Sequence, residues 1–167
     1  GMAAGEIHFA IGYTEANAGT DLATLKTTAV LEGDHFVVNG SKLFTTDAES
    51  ADYIWLACRT NPEEKRHKGI SIIIVDTKLP GYSLTPIHTV GHRTNTTYFD
   101  NIKVPANMLV GQLNGGWKLI TAQLNHERVG LGAFGVKATA CFRDVLIWAK
   151  TPDENGRRAV DEPWVRT

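Results

Sequence analysis

Cysteine is scarce in this chain: 167 residues include only Cys58 and Cys141. Two thiols so far apart in sequence supply neither a disulfide framework nor a thiolate metal site, and they fit a reducing compartment such as the cytoplasm. Net charge is almost absent, because seventeen Lys and Arg face eighteen Asp and Glu and leave −1. A nucleic-acid partner is therefore not expected, since neutralising phosphates takes a basic excess. No apolar run approaches the roughly 20 residues that span a bilayer, so no membrane partner is expected either. The signal-peptide order of charged, apolar and small residues is missing from the start, which argues against export. Gly1 before Met2 reads as a residue left by expression. Internal repeats and low-complexity stretches are also missing. What remains is ordinary globular material, 43% apolar and 21% charged, enough for one domain or one and a half.

Two structural patterns follow one another along the chain. From residue 7 to about 112, short apolar runs alternate with turn residues, the pattern of an antiparallel all-β unit. Strands are expected over Lys26–Leu31, His35–Val38, Lys42–Thr46, Tyr53–Arg59, Gly69–Asp76 and Tyr98–Val104, with a charged loop at Asn61–Lys68. Asn39-Gly40 between two such runs reads as a tight hairpin turn, because Asn-Gly tolerates positive φ. Gly33-Asp34 and Pro80-Gly81 mark further turns. Roughly seven strands in such a length imply a barrel or a two-sheet sandwich. After Gly115-Gly116 the period changes. Trp117 to about Lys150 contains no proline and reads as one long helix, ended by Thr151-Pro152-Asp153. The expected class is mainly β plus α: an antiparallel β-barrel or two-sheet domain over 7–112, then 115–167 as the start of an incomplete helical bundle. A long helix with apolar residues on more than one face needs helical neighbours, so the chain reads as a fragment or an obligate oligomer.

Several motif matches fail on context. Gly130-Leu131-Gly132-Ala133-Phe134-Gly135 fits G-x-G-x-x-G, yet it lies inside the expected helix rather than between a strand and a helix. His88 and His92 have a ligand-like spacing without an accompanying carboxylate or thiolate cluster, so no metal is expected. Asn39-Gly40-Ser41 and Asn95-Thr96-Thr97 match a glycosylation pattern that has no meaning without export. Neither a G-x-S-x-G elbow nor a P-loop is present.

Two features carry chemistry. Tyr13 to Asp21 is a strand running into a turn crowded with hydroxyls and small residues. Such a turn presents backbone N–H groups and Thr20 to a phosphate, or else is a capped turn with Thr20 or Asp21 at the start of a short helix. The second feature is Glu127, which with Ile120, Leu124, Leu131 and Phe134 lies on one helix face. Its neighbours three and four positions away are Gln123, Leu124, Gly130 and Leu131, none of them cationic. Burying a carboxylate without a cation raises its pKa, which is how enzymes prepare a general base. The alternative is a structural carboxylate at a groove edge or paired across a helix interface.

Together these residues resemble the acyl-CoA dehydrogenase family, specifically its middle β-domain and the first long helix of its C-terminal bundle. The resemblance rests on Tyr13-Thr14-Glu15 with Ala18-Gly19-Thr20-Asp21, Val38 to Thr46, Ala51-Asp52-Tyr53, Pro80-Gly81, Gly91-His92-Arg93, Phe99 to Pro105 and Leu124-Asn125-His126-Glu127-Arg128. The family's usual Thr-Glu-Pro is Thr-Glu-Ala here, and its usual Trp is Phe44. The resemblance implies FAD and α,β-dehydrogenation of a fatty or steroid-chain acyl-CoA thioester, with an electron-transfer flavoprotein as a typical acceptor and a homo- or hetero-oligomeric assembly. It implies that Ile11, Gly12, Tyr13, Thr14, Gly19 and Thr20 line the flavin and its pyrophosphate, Thr20 also lying near the CoA chain. It implies that Phe44, Thr45 and Thr46 lie against the isoalloxazine, with Phe44 and Thr46 on one strand face. Asn125, His126 and Arg128 correspond to the thioester side of the substrate, and Glu127 to one of the family's two positions for the catalytic base. Other readings are a noncatalytic remnant or interaction module, and an acyl-CoA oxidase or flavin monooxygenase of the same superfamily.

Overall fold

Alternating buried and exposed side chains build eight strands among the described residues: β1 (Phe9–Gly12), β2 (Thr28–Glu32), β3 (His35–Lys42), β4 (Tyr53–Arg59), β5 (Ile70–Asp76), β6 (Tyr82–Ile87), β7 (Thr94–Pro105) and β8 (Leu109–Val110). One long helix follows, α1 (Gly116–Lys150). The computed structural model describes residues 1–91 and 93–165, so the His88/His92 spacing and the His92 of Gly91-His92-Arg93 fall outside the described residues. The chain forms two units, Gly1–Thr121 and Ala122–Thr167.

In the first unit the strand order is β6-β7-β3-β2-β4-β5-β8, with β1 added beside β4. A single residue pair, Thr28 opposite Arg59, joins β2 to β4, so the sheet behaves as two layers with one seam. Phe36, Val38, Phe99 and Val104 from one layer meet Ile54, Leu56, Ile73 and Val75 from the other in one apolar core. β5 carries the apolar run Ile72–Val75 because both of its faces are largely buried. Cys58 lies in this core, where burial pushes its thiol up to about 12.

The strands differ from the sequence expectation in four places. The sheet is not wholly antiparallel: β1 runs parallel to β4, from Phe9 opposite Tyr53 to Gly12 opposite Leu56. A parallel partner needs a long crossover, and residues 13–52 provide it. Asn39-Gly40 is not a hairpin turn. β3 runs through it with a register shift between Val38 and Gly40, and Gly40 has φ +144° with its missing Cβ 2.8 Å from the Cα of Thr27. Glycine is needed there for close backbone approach rather than for a turn. The two-residue hairpin turn is Gly33-Asp34, between paired Glu32 and His35. Leu43–Thr46 is not strand, because Phe44 has φ +56° and breaks the extended chain. Tyr82–Ile87 is a strand that the sequence conceals, since Pro86 removes a ladder donor; β6 lies at the end of the strand order, where proline is tolerated.

α1 begins at the expected break. A Cβ on Gly116 would lie 2.7–2.9 Å from the Ser71 and Ile72 backbone, so the glycine lets the helix start rest directly on β5. Ser71 Oγ accepts the Asn114 N–H at 2.8 Å, Thr60 Oγ1 donates to Asn114 Oδ1 at 2.7 Å, and Ile120 is fully buried. Within the second unit the G-x-G-x-x-G match lies inside α1 with its glycines open to space, which excludes a dinucleotide turn. Thr151 donates its N–H to the Ile147 carbonyl at 3.0 Å, and Pro152 stops the helix. Val129, Phe134, Phe142 and Ile147 of α1 are exposed, the unpartnered apolar faces that the sequence foreshadows.

Gly40→Ala is expected to destabilise the chain by about 2 kcal/mol or more, because strain at positive φ adds to a clash with Thr27. Gly130→Ala, with open space around it and a helical backbone, is expected to be neutral or stabilising by up to about 1 kcal/mol. Urea unfolding midpoints of the two variants check both expectations.

Candidate functional site

The site begins where β1 ends. A Cβ at Gly12 would lie 2.9 Å from Cγ2 of Ile54, so the glycine lets β1 approach β4 closely enough to set the path of the next residues. Tyr13 is buried, and its hydroxyl accepts the Trp55 indole N–H at 3.0 Å. Glu15 and Ala18 exchange backbone hydrogen bonds at 3.1 Å, closing a small turn. The short 3-10 helix foreseen after this turn is present at Leu22–Thr24, with Asp21 at its start. Asp21 makes no side-chain cap there and instead pairs with Arg66 at 3.3 Å.

Lys42 closes this arrangement from below. It has no solvent exposure, and its Nζ donates to the Tyr13 carbonyl at 3.0 Å and to Glu15 Oε1 at 2.8 Å. The Glu15 carboxylate also accepts the backbone N–H of Lys26 at 2.7 Å and of Thr27 at 2.9 Å. Burial pushes the Glu15 carboxyl up, but the Lys42 charge and the hydrogen bonds from Lys42 and Thr27 more than reverse this and hold it below its ordinary value. Burial pushes the Lys42 ammonium down, and Glu15 recovers only part of that shift.

One residue further on, Leu43 donates its N–H to the Thr14 carbonyl at 2.8 Å, so the Tyr13–Asp21 segment and the Phe44–Thr46 turn are adjacent. Phe44 is 58% exposed, and Thr46, two residues on, is exposed as well. Thr45 points inward: its N–H reaches the Asn95 carbonyl at 2.9 Å, its carbonyl accepts from Asn95 Nδ2 at 3.1 Å, and its hydroxyl meets that of Thr97 at 3.2 Å. Phe44 and Thr46 are both exposed with buried Thr45 between them, but the strand expected to carry them is absent, because Phe44 takes a left-handed backbone and Thr45 is anchored inward.

Of the residues expected on this wall, Ile11, Gly19, Thr20, Phe44 and Thr46 are exposed and Thr14 is partly so. Gly12, Tyr13 and Thr45 are buried, so the side chains of Tyr13 and Thr45 and the close backbone approach at Gly12 support the wall from beneath. An exposed aromatic ring flanked by hydroxyls, with no charged side chain among these positions, fits a neutral heteroaromatic ring system such as a flavin. Sequence reasoning missed Glu15, Lys42 and Asn95. A signal for Lys42 was available, because counting by two from Phe36 and Val38 places it on the inward face of β3.

In the second unit, Asn125, His126, Glu127 and Arg128 form one turn of α1. His126 Nδ1 lies 2.7 Å from the Ala122 carbonyl, and Arg128 Nη1 donates to Asn125 Oδ1 at 3.4 Å. Glu127 accepts from Gln123 Nε2 at 3.4 Å and has no cation on its own helix face, as expected. It is exposed, so the burial expected from its apolar stripe is not found in this chain. Leu131 and Phe134 of the same stripe are exposed as well, and the stripe is covered only toward Ile120. Among the described residues no group of three or more His, Cys, Asp or Glu could hold a metal ion.

Residues 10–102 match the family model of the acyl-CoA dehydrogenase middle domain, and residues 114–167 match that of the acyl-CoA dehydrogenase C-terminal domain. The acyl-CoA dehydrogenase FadE29 of Mycobacterium tuberculosis is 58% identical over 98% of this chain, and the chain spans 42% of that relative's length. A solved structure described as the Tcur3481-Tcur3483 steroid ACAD superposes with a TM-score of 0.89 at 55% identity, over 99% of this chain and 42% of that one. The ChsE4-ChsE5 complex from Mycobacterium tuberculosis superposes with a TM-score of 0.80 at 50% identity, over 99% of this chain and 43% of that one.

A carboxyl that is more acidic folded than unfolded contributes stability that is present above its unfolded value and lost as pH falls through its folded value. Glu15 lies below its ordinary 4.5, so the stability gap between the wild-type chain and Glu15→Gln is expected to be constant near neutrality and to shrink on acidification below that value. Urea midpoints of both proteins across acidic and neutral pH check this. A gap that does not change with pH would contradict it.

Proposed function

The chain belongs to the acyl-CoA dehydrogenase family, and from that membership and the geometry of the site we propose that it is part of an FAD-dependent enzyme that desaturates an acyl-CoA thioester between Cα and Cβ. The observation that carries this reading is the exposed Phe44 ring held beside the Tyr13–Asp21 segment by the Leu43–Thr14 hydrogen bond. In this reading residues 7–112 are the middle β-domain and residues 115–167 begin the C-terminal helical domain.

FAD, when bound, supplies the acceptor for the hydride that leaves Cβ. The segment Ile11–Thr20 and the turn Phe44–Thr46 would hold it, the first through backbone N–H groups and the Thr14 and Thr20 hydroxyls, the second through an aromatic face. Asn125, His126 and Arg128 orient the thioester through polar groups of one helical turn. Glu127 takes the proton from Cα, and its freedom from any cation on its own helix face leaves the carboxylate available for that proton. A steroid side-chain thioester is the favoured substrate, supported by the high similarity to a protein described as a steroid ACAD. A hetero-oligomer is the favoured assembly, supported by the two-component descriptions of both similar structures and by the exposed apolar residues of α1. An electron-transfer flavoprotein is the expected acceptor. The cytoplasm is the expected compartment, supported by two free cysteines. No helix among the described residues is long and apolar enough to cross a membrane.

Glu127→Gln keeps size and hydrogen bonding while removing proton acceptance. In a full-length enzyme carrying this segment, acyl-CoA binding should persist and turnover should fall by roughly 10²- to 10⁴-fold. Stopped-flow rates with saturating substrate measure this, and an unchanged rate assigns the base to another position. The chain by itself, with one wall of the site, is expected to bind FAD weakly, because affinity depends on several preorganised surfaces. A near-stoichiometric yellow preparation would contradict that expectation.

A further inference from the structure

We propose that the buried Glu15–Lys42 pair is the positioning element of the cofactor wall, fixing the Tyr13–Thr20 segment against the Phe44–Thr46 turn before any cofactor arrives. The inference rests on the flavin reading of that wall and goes beyond it by assigning a role to two residues that do not face the ligand.

Three stretches of chain that are distant in sequence meet on this pair. Lys42 ends β3 and holds the Tyr13 carbonyl at 3.0 Å and the Glu15 carboxylate at 2.8 Å. Glu15 in turn holds the N–H groups of Lys26 and Thr27 at 2.7 and 2.9 Å, so one carboxylate answers three donors. The arrangement passes to the wall with no slack, because Leu43 donates to the Thr14 carbonyl at 2.8 Å and the next residue is Phe44. Phe44 has φ +56°, a conformation a non-glycine residue keeps only when its surroundings over-determine it. Leu43 bonded to Thr14 on one side and Thr45 bonded to Asn95 on the other provide that determination.

Stability alone does not account for a lysine with no solvent exposure. Desolvation of a buried ion pair offsets much of its attraction, and apolar replacements of similar size are often neutral or better. An apolar pair could fill the same space, yet it could not accept the Lys26 and Thr27 amides or tie the Tyr13 carbonyl to the end of β3. What the pair adds is a fixed spacing between two segments. A wall set in advance spares the ligand the cost of ordering it, so loosening the pair should appear in affinity.

The test uses a full-length enzyme carrying this segment, with Lys42→Met and with the double variant Lys42→Met/Glu15→Gln. Three measurements are made on each: the thermal midpoint of the apoprotein, amide hydrogen exchange, and the FAD dissociation constant from flavin fluorescence. The expected result is a folded protein with faster exchange at Lys26, Thr27 and Leu43, unchanged exchange at Ile54 and Ile73, and FAD affinity lower by about tenfold or more. A merely structural role would move the midpoint, the core amides and the affinity together, and that pattern overturns the proposal. So does a folded variant whose FAD affinity stays within about twofold of wild type. Failure of both variants to fold also overturns it, since the pair would then be needed for folding itself. Absence of FAD binding by the wild-type enzyme overturns the flavin reading instead, while exchange at the three amides still decides whether the pair fixes the segment.

Discussion

A lysine ammonium taken wholly out of water needs acceptors arranged around it, and that requirement organises the first unit. Lys42 finds them only if the chain after β1 turns back so that the Tyr13 carbonyl and the Glu15 carboxylate face the end of β3. Glu15 Oε1 also accepts the Thr27 amide and Oε2 the Lys26 amide, just before β2, and the course of residues 13–27 is settled. The exposed wall beside it inherits this order. Its outward residues are small, hydroxylated, aliphatic or aromatic, none of them charged, and the residues that determine where they stand lie one layer deeper.

The two layers of the sheet meet at one seam, Thr28 opposite Arg59, and the surrounding contacts show how little slack is left there. Arg59 donates to the Ala23 carbonyl at 2.8 Å and to the Leu25 carbonyl at 3.2 Å, so a side chain continues the pairing where the backbone ladder stops. Gly40 lies against Thr27 on the other side of the same strand end. Thr27 therefore links the Glu15–Lys42 pair to the seam, because its N–H reaches Glu15 and its carbonyl accepts the Arg59 N–H, and a disturbance of one is carried to the other through a few bonds.

Much of this was legible in the sequence, and the failures have physical causes. Tyr53–Arg59 was found as a strand with its observed bounds, and the turn at Gly33-Asp34 and the helix start near Gly116 were also found, because periodicity and punctuation are local properties. Asn39-Gly40 misled because the same glycine freedom serves a turn or a close approach, and only the position of Thr27 decides between them. Tyr82–Ile87 was hidden by Pro86, whose tolerance depends on lying at the end of the strand order. The parallel β1–β4 pair and the Glu15–Lys42 contact join positions far apart in sequence, and no local pattern encodes them. At the site, the resemblance to a family points to exposed Ile11, Gly19, Thr20, Phe44 and Thr46 and to buried Gly12, Tyr13 and Thr45, whereas Glu15, Lys42 and Asn95 are assigned no role by it. The stripe through Glu127 was a sound reading of helix geometry, but its burial depends on neighbours and is not found in this chain.

The docking of Gly116 on β5 has a consequence for how this chain can vary in length. Asn114 is tied to Ser71 and Thr60, Gly116 rests on the Ser71 and Ile72 backbone, and Ile120 fills the core one turn later. The start of the helix, up to Thr121, is thereby clocked by the sheet. One residue inserted between Gly116 and Ile120 would rotate the following side chains by about 100° around the helix axis and turn an apolar core residue toward water. Substitutions in this stretch change volume or polarity at one place, whereas insertions and deletions change the azimuth of the residues after them up to Thr121. The joint thus tolerates a change of letters far better than a change of count.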